Sequence, residues 1–397
     1  MKFRFYIFLF LSLLLVASCS DEITELQSDT FIKLYGSYQN DAGKDVKSLA
    51  SGGYAITGNI VPDSVTKMFL ILTDEAGNQL EGFPKWYGGD HQTGGNSLLV
   101  LEDGYVIGGH LLDTVADGEV RSDIYLVRTD AEGTEMWSKT YGNEEDDDLF
   151  HVIQKAGGGF VLAGKKTTNE DEDLWIIMVD ENGDKIYDFT GSALDDDDEA
   201  NFLIRVGDGY LCACTYDEGE MDGTDIFLVS LDANCNILDS KALGTDFDDV
   251  ARSIVPYNDG YLVMGYTENT QTGLSEVAMY TFEMANGLIE NEEKLATISR
   301  PGTDLMGEAC VINSLGEIVV FGTRTVNENR DMCIIRIGSD GQLIGDIIVY
   351  GELGNQIGNG MDKTADGGLI LIGTNTLEGN SLISLIKTNA KGSTTVN

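Results

Sequence analysis

From Thr30 onward the apolar residues fall in runs of four to seven, bounded by Gly, Asp and Asn, with no long helical period. Short apolar runs between turn residues predict strands and hairpins. Three strand signals recur along the chain. The first is Gly53-Tyr-Ala-Ile-Thr-Gly58, whose copies end at Gly58, Gly109, Gly164, Cys214, Gly265, Gly322 and Gly373, at intervals of 51, 55, 50, 51, 57 and 51 residues. Its leading glycine predicts a hairpin turn needing positive φ, and its trailing glycine a close approach of two backbones. The second signal is an apolar strand running into an Asp-x-x-Gly turn, as at Asp74 to Gly77, Asp130 to Gly133 and Asp180 to Gly183. Aspartate can accept the turn amides while glycine takes the left-handed position. Cys235 and Asn286 stand where that glycine is expected; asparagine tolerates the conformation better than cysteine, so the fourth hairpin is expected to depart from the rest.

The third signal is a short strand ending in glycine: Leu34-Tyr-Gly36, Trp86-Tyr-Gly88, Thr140-Tyr-Gly142, Phe189-Thr-Gly191, Ala242-Leu-Gly244, Arg300-Pro-Gly302 and Val349-Tyr-Gly351. Its phase is informative. The first copy precedes the first opening motif, and none follows the last. Pairing the N-terminal strand 31–36 with the last unit would close a ring and remove two open sheet edges. One more strand before each opening motif, such as Asp45 to Ala50 or His151 to Ala156, gives four strands per unit. The expected fold is all-β: a seven-bladed β-propeller of four-stranded blades over residues 30–397. The fifty-residue period and the displaced terminal strand favour it over a β-helix or stacked sandwiches. The expected blades run 37–88, 89–142, 143–191, 192–244, 245–302 and 303–351, with 352–397 plus 30–36 as the last.

The N-terminal segment adds a cellular address. Lys2 and Arg4 precede an apolar run, Phe5 to Val16, that is short for a membrane span. It closes on Val16-Ala17-Ser18-Cys19, which resembles a bacterial lipobox. The resemblance implies a lipoprotein signal peptide at 1–18, cleavage before Cys19, lipidation of that cysteine and a short acidic tether at 19–29. Serine after the lipidated cysteine resembles outer-membrane sorting, so the expected location is the outer membrane or cell surface of a Gram-negative-type bacterium, with the membrane reached through Cys19. The repeat order, Tyr-Gly-Gly, acidic turn, Gly-Gly-Tyr-x-x-x-Gly, apolar strand and Asp-x-x-Gly, resembles the SBBP-type β-propeller repeats of secreted bacterial proteins. That resemblance implies extracytoplasmic binding or scaffolding and carries no catalytic residues.

The chain has 67 acidic residues against 25 Lys and Arg, a net charge of −42; without Lys2 and Arg4 it is −44. Such a surface repels phosphate backbones, so nucleic acid is not an expected partner. The acid is concentrated in loops leading into three consecutive blades: Glu144 to Asp148, Asp195 to Glu199 and Asp246 to Asp249. Hard oxygen donors in clusters suit Ca²⁺, the one candidate cofactor, with Asp146, Asp147, Asp148, Asp196, Asp197, Asp198, Asp246, Asp248 and Asp249 as candidate ligands. None fits an EF-hand loop, and solvated loops or an electrostatic face explain the same pattern.

A column about seven residues ahead of the opening motifs holds Asp45, Asn96, His151, Asn201 and Arg252, then Ala309 and Gly360. These positions enter the innermost strands, so the five polar side chains form a candidate ligand ring at a channel mouth. Catalysis has little support: the three histidines, His91, His110 and His151, occupy different repeat positions, and no nucleophile elbow appears. Beyond Cys19 the five cysteines are expected as buried thiols, and Trp86, Trp137 and Trp175 as blade packing. The expected function is a lipid-anchored, non-catalytic binding or scaffold protein, monomeric, presenting its loop face and channel mouth to an envelope protein or glycan. A carbohydrate-active lyase or hydrolase on the same propeller, and a structural subunit of an outer-membrane assembly, are the alternatives.

Overall fold

The computed structural model describes residues 30–114, 118–142, 145–168, 171–191, 198–217, 223–245, 247–351 and 354–394. The signal peptide, Cys19 and the tether therefore lie outside the described residues. The described residues form seven four-stranded antiparallel sheets arranged as a ring, a seven-bladed propeller. No helix among them is long and apolar enough to cross a membrane.

Each blade begins with an innermost strand. These are Ala42–Ser48, Gln92–Leu101, Asp147–Gln154, Glu199–Val206, Asp249–Tyr257, Asp304–Ile312 and Asn355–Lys363. The opening motif is the second strand of its blade, and the apolar run before the Asp-x-x-Gly turn is the third. Second and third strands carry apolar residues at successive positions because both their faces are covered by neighbouring blades. In Tyr54–Ile60, Tyr54 and Ile56 pack toward the seventh blade while Ala55 packs toward the second. The core among the described residues is accordingly seven apolar wedges, one at each joint between adjacent blades.

Closure follows the expected displacement. Phe31–Tyr35 pairs antiparallel with Asn380–Thr388 as the outermost strand of the seventh blade, from Phe31 opposite Lys387 to Tyr35 opposite Ile383. The first and last described residues meet beside it, where Thr30 Oγ1 donates to the Thr394 carbonyl at 2.5 Å.

The third signal has two physical causes. Its tyrosine hydroxyl crosses to the next blade and donates to the carbonyl of the Asp-x-x-Gly glycine. Tyr35 reaches Gly77 at 2.6 Å, Tyr87 reaches Gly133 at 2.8 Å and Tyr141 reaches Gly183 at 2.6 Å. Tyr350 makes the same bond to Gly392. Its glycine clears space for a polar side chain five residues on: a Cβ at Gly36 would strike the Asp41 carboxylate, at Gly88 the Thr93 side chain, and at Gly351 the Gln356 amide.

Two copies of this signal were misaligned by sequence. Gly191 pairs with Leu174, as Tyr141 pairs with Ile124, so Gly191 itself occupies the tyrosine position of the third blade and the Phe189 ring fills the space above it. In the fifth blade Ile298 pairs with Val277 at that position, and Arg300-Pro-Gly302 lies in the turn beyond the strand. With Leu243 opposite Ile226 in the fourth blade, the tyrosine latch is missing at three consecutive joints.

The fourth hairpin does not depart from the others. Cys235 takes φ of 62°, its amide donates to the Asp232 carbonyl at 3.0 Å, and Asp232 accepts the Asn236 amide at 2.9 Å, as in the glycine copies. The fifth hairpin is the one that differs. Ala285 pairs with Leu288 around a two-residue Asn286-Gly287 turn with both φ positive, a type I′ geometry that lengthens the strands.

Candidate functional site

All seven innermost strands carry a β-bulge near their start. The register skips Lys44, Asn96, Phe150, Asn201, Arg252, Glu308 and Asn359 in successive blades. A bulge leaves one residue unpaired and re-aims its side chain. Here the trailing glycine of the opening motif lies against each bulge. A Cβ at Gly58, Gly109, Gly164, Gly265, Gly322 or Gly373 would overlap the carbonyl oxygen two residues before the bulged position. The close approach expected of these glycines is therefore the device that lets the inner strand buckle toward the axis.

The bulged residues and their immediate successors surround one axial cavity of about 220 Å³. Asp45, Asn96, His151, Asn201 and Arg252 all line it, together with Ala309 and Gly360. They occupy two structural positions. Asn96, Asn201 and Arg252 are bulged residues, whereas Asp45, His151, Ala309 and Gly360 follow one. Blades two, four and five join their first two strands by two-residue turns, and the other blades use five-residue turns. A fixed count back from the motif therefore slips by one between the two kinds. Lys44, Phe150, Glu308 and Asn359 were missed for that reason, and comparing the two turn lengths would have found them.

Several ring residues also bind neighbouring blades together. Asn96 Nδ2 donates to the Leu149 carbonyl at 2.8 Å, and Asn359 Nδ2 to the Gly43 carbonyl at 2.7 Å. Asp45 Oδ2 accepts the Leu98 amide at 2.8 Å, and its Oδ1 accepts the Val46 amide and pairs with Lys47, each at 2.8 Å. His151 Nδ1 accepts the Leu203 amide at 3.2 Å, and its ring stacks on Phe202 with centroids 4.0 Å apart. The accepted amide fixes the tautomer: the neutral ring carries its proton on Nε2. Burial, reinforced by Lys47, pushes His151 down to about 4, so the ring is neutral at physiological pH.

The remaining charge centres on Arg252. Its Nε lies 3.2 Å from Glu308 Oε2, and its guanidinium packs over the Tyr266 ring and donates to the hydroxyl at 3.2 Å. Burial raises the Glu308 carboxyl, against the opposing pull of Arg252 and Lys44. Burial likewise lowers the Lys44 ammonium, with Glu308 raising it and Arg252 lowering it. Asn201 Nδ2 donates to Thr215 Oγ1 at 2.7 Å, and its Oδ1 is buried with no hydrogen-bond partner among the described residues.

The acidic loops lie on the face where the inner strands start. Of the candidate cation ligands, Asp196, Asp197 and Asp246 lie outside the described residues. Four of the others accept backbone amides. Asp147 Oδ1 accepts the Thr167 amide at 3.0 Å, and Asp249 Oδ2 accepts the Thr245 amide at 2.6 Å and the Thr245 hydroxyl at 2.8 Å. Asp146 accepts the Ser122 amide at 2.8 Å and Asp248 the Thr224 amide at 3.3 Å. Asp148 lies 3.8 Å from His110, and Asp198 is buried. Asp147, Asp198 and Asp249 occupy the position of Asp41, three residues before the bulge, where a carboxylate ties the blade's entry loop to the blade. Among the described residues no group of three or more His, Cys, Asp or Glu side chains is placed to hold a metal ion.

The five cysteines Cys212, Cys214, Cys235, Cys310 and Cys333 are buried and unbridged, with Cys212 and Cys214 sulfurs 3.5 Å apart on one strand face. Trp175 is buried in a blade joint, whereas Trp86 on an outermost strand is 52% exposed and contributes less packing than expected.

No protein-family model matches the chain, and no curated protein sequence matches it. Solved propellers resemble it in shape. Sqt1 from Chaetomium thermophilum is 11% identical, with 92% of this chain and 99% of that one covered at a TM-score of 0.48. The β-propeller domain of the Trilobed protease from Pyrococcus furiosus, which has an open velcro topology, is 12% identical over 88% of this chain and 94% of that one, at 0.45. A gluconolactonase from Xanthomonas campestris is 14% identical over 76% and 90%, at a TM-score of 0.37. At these identities the likeness concerns the fold alone.

Proposed function

We propose that this protein is a lipid-anchored, non-catalytic binding or scaffold protein of the bacterial envelope, similar to SBBP-type propeller proteins. On this reading it is tethered through Cys19 at the outer membrane or cell surface and takes a protein or glycan at its channel mouth. The observation that carries the reading is the axial cavity. Seven equivalent backbone positions, each re-aimed inward by a bulge, present seven side chains of five kinds around one opening. A ring needed only for packing could fill that position with one apolar residue type. The cavity's two carboxylates also favour recognition: Asp45 accepts amides and Lys47, and Glu308 pairs with Arg252.

The test is a binding screen of the soluble form lacking residues 1–19 against glycans and envelope proteins, with and without Ca²⁺. The expected result is a partner whose binding is weakened by Arg252→Ala and Asn201→Ala and unchanged by Lys139→Ala on the rim. A partner insensitive to both cavity substitutions would sink the channel-mouth reading. Metabolic labelling with a palmitate analogue, lost in Cys19→Ala, tests the anchor.

A further inference from the structure

The axial cavity holds an uneven set of charges in a chain of net charge −42. Three cations line it, Lys44, Lys47 and Arg252, against two anions, Asp45 and Glu308. Two pairs form, Lys47 with Asp45 at 2.8 Å and Arg252 with Glu308 at 3.2 Å. Lys44 is left over. Its ammonium makes no ion pair within 4 Å and no hydrogen bond among the described residues, and the field it feels is mixed, Glu308 acting against Arg252. A partly buried ammonium without a counter-ion is disfavoured, and an anion placed beside it would be held more strongly than in water.

The neighbouring groups narrow the class of anion. The Nδ2 donors of Asn96 and Asn359 are committed to adjacent blades. The polar functions left without a partner at the wall include the Nε2–H of neutral His151, a donor, and three acceptors, the Oδ1 atoms of Asn96 and Asn359 and the buried Oδ1 of Asn201. Phe150 and Phe202 supply flat apolar wall beside them. The complement of an ammonium, a ring N–H donor, amide acceptors and an aromatic face is a small ring-shaped molecule bearing a carboxylate and hydroxyl groups. The cavity, about 220 Å³, is of single-ring size rather than that of an extended chain.

We propose that the axial cavity binds the carboxylate of a sugar acid, with Lys44 as its counter-ion, His151 and Asn201 meeting its oxygens and hydroxyls, and Phe150 and Phe202 walling its ring. This deepens the reading of the channel mouth as a binding site and rests on it. Such a group would come as a free sugar acid or as the terminal residue of an acidic glycan.

The test is calorimetric titration of the full-length protein in detergent with D-glucuronate, D-glucose and acetate, followed by the same titration of two variants. Glucuronate is expected to bind at least about tenfold more tightly than glucose or acetate. Lys44→Met is expected to weaken glucuronate at least about tenfold and Lys44→Arg, which keeps the charge, much less, with both variants unfolding cooperatively like the parent. A glucuronate-terminated disaccharide binding as the monosaccharide does assigns the ligand to a glycan end; exclusion of the disaccharide assigns it to the free acid. Equal binding of glucuronate and glucose, equal binding of acetate, or full binding by Lys44→Met overturns the proposal. If glucuronate fails while the wider screen yields a cavity-dependent partner, only this inference falls. If neither yields anything, the channel-mouth reading falls with it.

Discussion

Replacing Tyr87 by Phe removes one oxygen atom from a joint between blades and little else. The side chain is 4% exposed and its hydroxyl donates to the Gly133 carbonyl at 2.8 Å. Burial holds the phenol far above its ordinary pKa, so the donor is present throughout the usable pH range. Phenylalanine keeps the ring packed in the wedge with Met68, Leu70 and Tyr105, so no cavity of side-chain size opens. The loss is the net worth of a buried hydrogen bond plus the desolvation of a carbonyl left without its donor, together about 1.5 kcal/mol. With a urea slope of about 3 kcal/mol/M, suited to a chain of this size, the midpoint should fall by about 0.5 M. The comparison is Tyr187→Phe, whose ring is 37% exposed on an outer strand; it should change stability by less than about 0.5 kcal/mol. Tyr141→Phe removes the same bond at the next joint, so the double variant should lose the sum of the two. Equal midpoints for Tyr87→Phe and Tyr187→Phe would refute the view that the repeated tyrosines fasten the joints. A double variant far from the sum would refute their independence.

Three further outcomes follow from the same geometry. Gly265→Ala places a methyl group on the Val250 carbonyl oxygen; it should cost about 2 kcal/mol or more in urea unfolding and weaken any ligand that needs Arg252, because the bulge carrying Arg252 must move. His151, held near 4 in the fold against about 6.5 when unfolded, is neutral in the native state where the unfolded chain would take up a proton. Stability should therefore fall as pH drops from about 6.5 toward 4, by up to about 3 kcal/mol from this residue, and His151→Asn should flatten the slope between pH 5 and 6.5 in urea titrations. Deleting residues 30–36 removes the packing of Phe31 on Tyr54, the Tyr35 latch and the outer-edge pairing of Asn380–Thr388, a loss of about 3 kcal/mol or more; size-exclusion chromatography should show association through the bared strand, and a monomer of unchanged stability would contradict ring closure.

The fold was legible because a propeller repeats its constraints. Positive φ at Gly53 and close approach at Gly58 leave glycine few substitutes, and the copies keep the same order. The displaced Tyr-Gly signal revealed the closure, since a strand without a blade at one end matched a blade without a strand at the other. Alignment failed where a residue could be displaced without changing composition. Gly191 resembles the glycine of Tyr-Gly yet holds the tyrosine's place, and only its pairing with Leu174 distinguishes the two. The cavity was half legible for a similar reason. Its polar column was visible, but the alternation of two- and five-residue turns hid Lys44 and Glu308. The backbone bonds of Asp147 and Asp249 were invisible in runs of like charge, where the one buried carboxylate reads the same as its solvated neighbours.

Thr30 and Thr394 touch at the outer rim of the seventh blade. The break in the chain is thus a local accident in an otherwise continuous circle, and the order in which a ribosome makes the blades is separable from the object they form. A short peptide joining residue 394 to residue 30, with new ends opened at the exposed turn Asn327-Glu328 of the sixth blade, would give a circular permutant with the same seven wedges and the same axial cavity. Residues 30 and 394 leave the ring from one point on its circumference, so whatever continues the chain beyond either of them departs from the same place relative to the cavity.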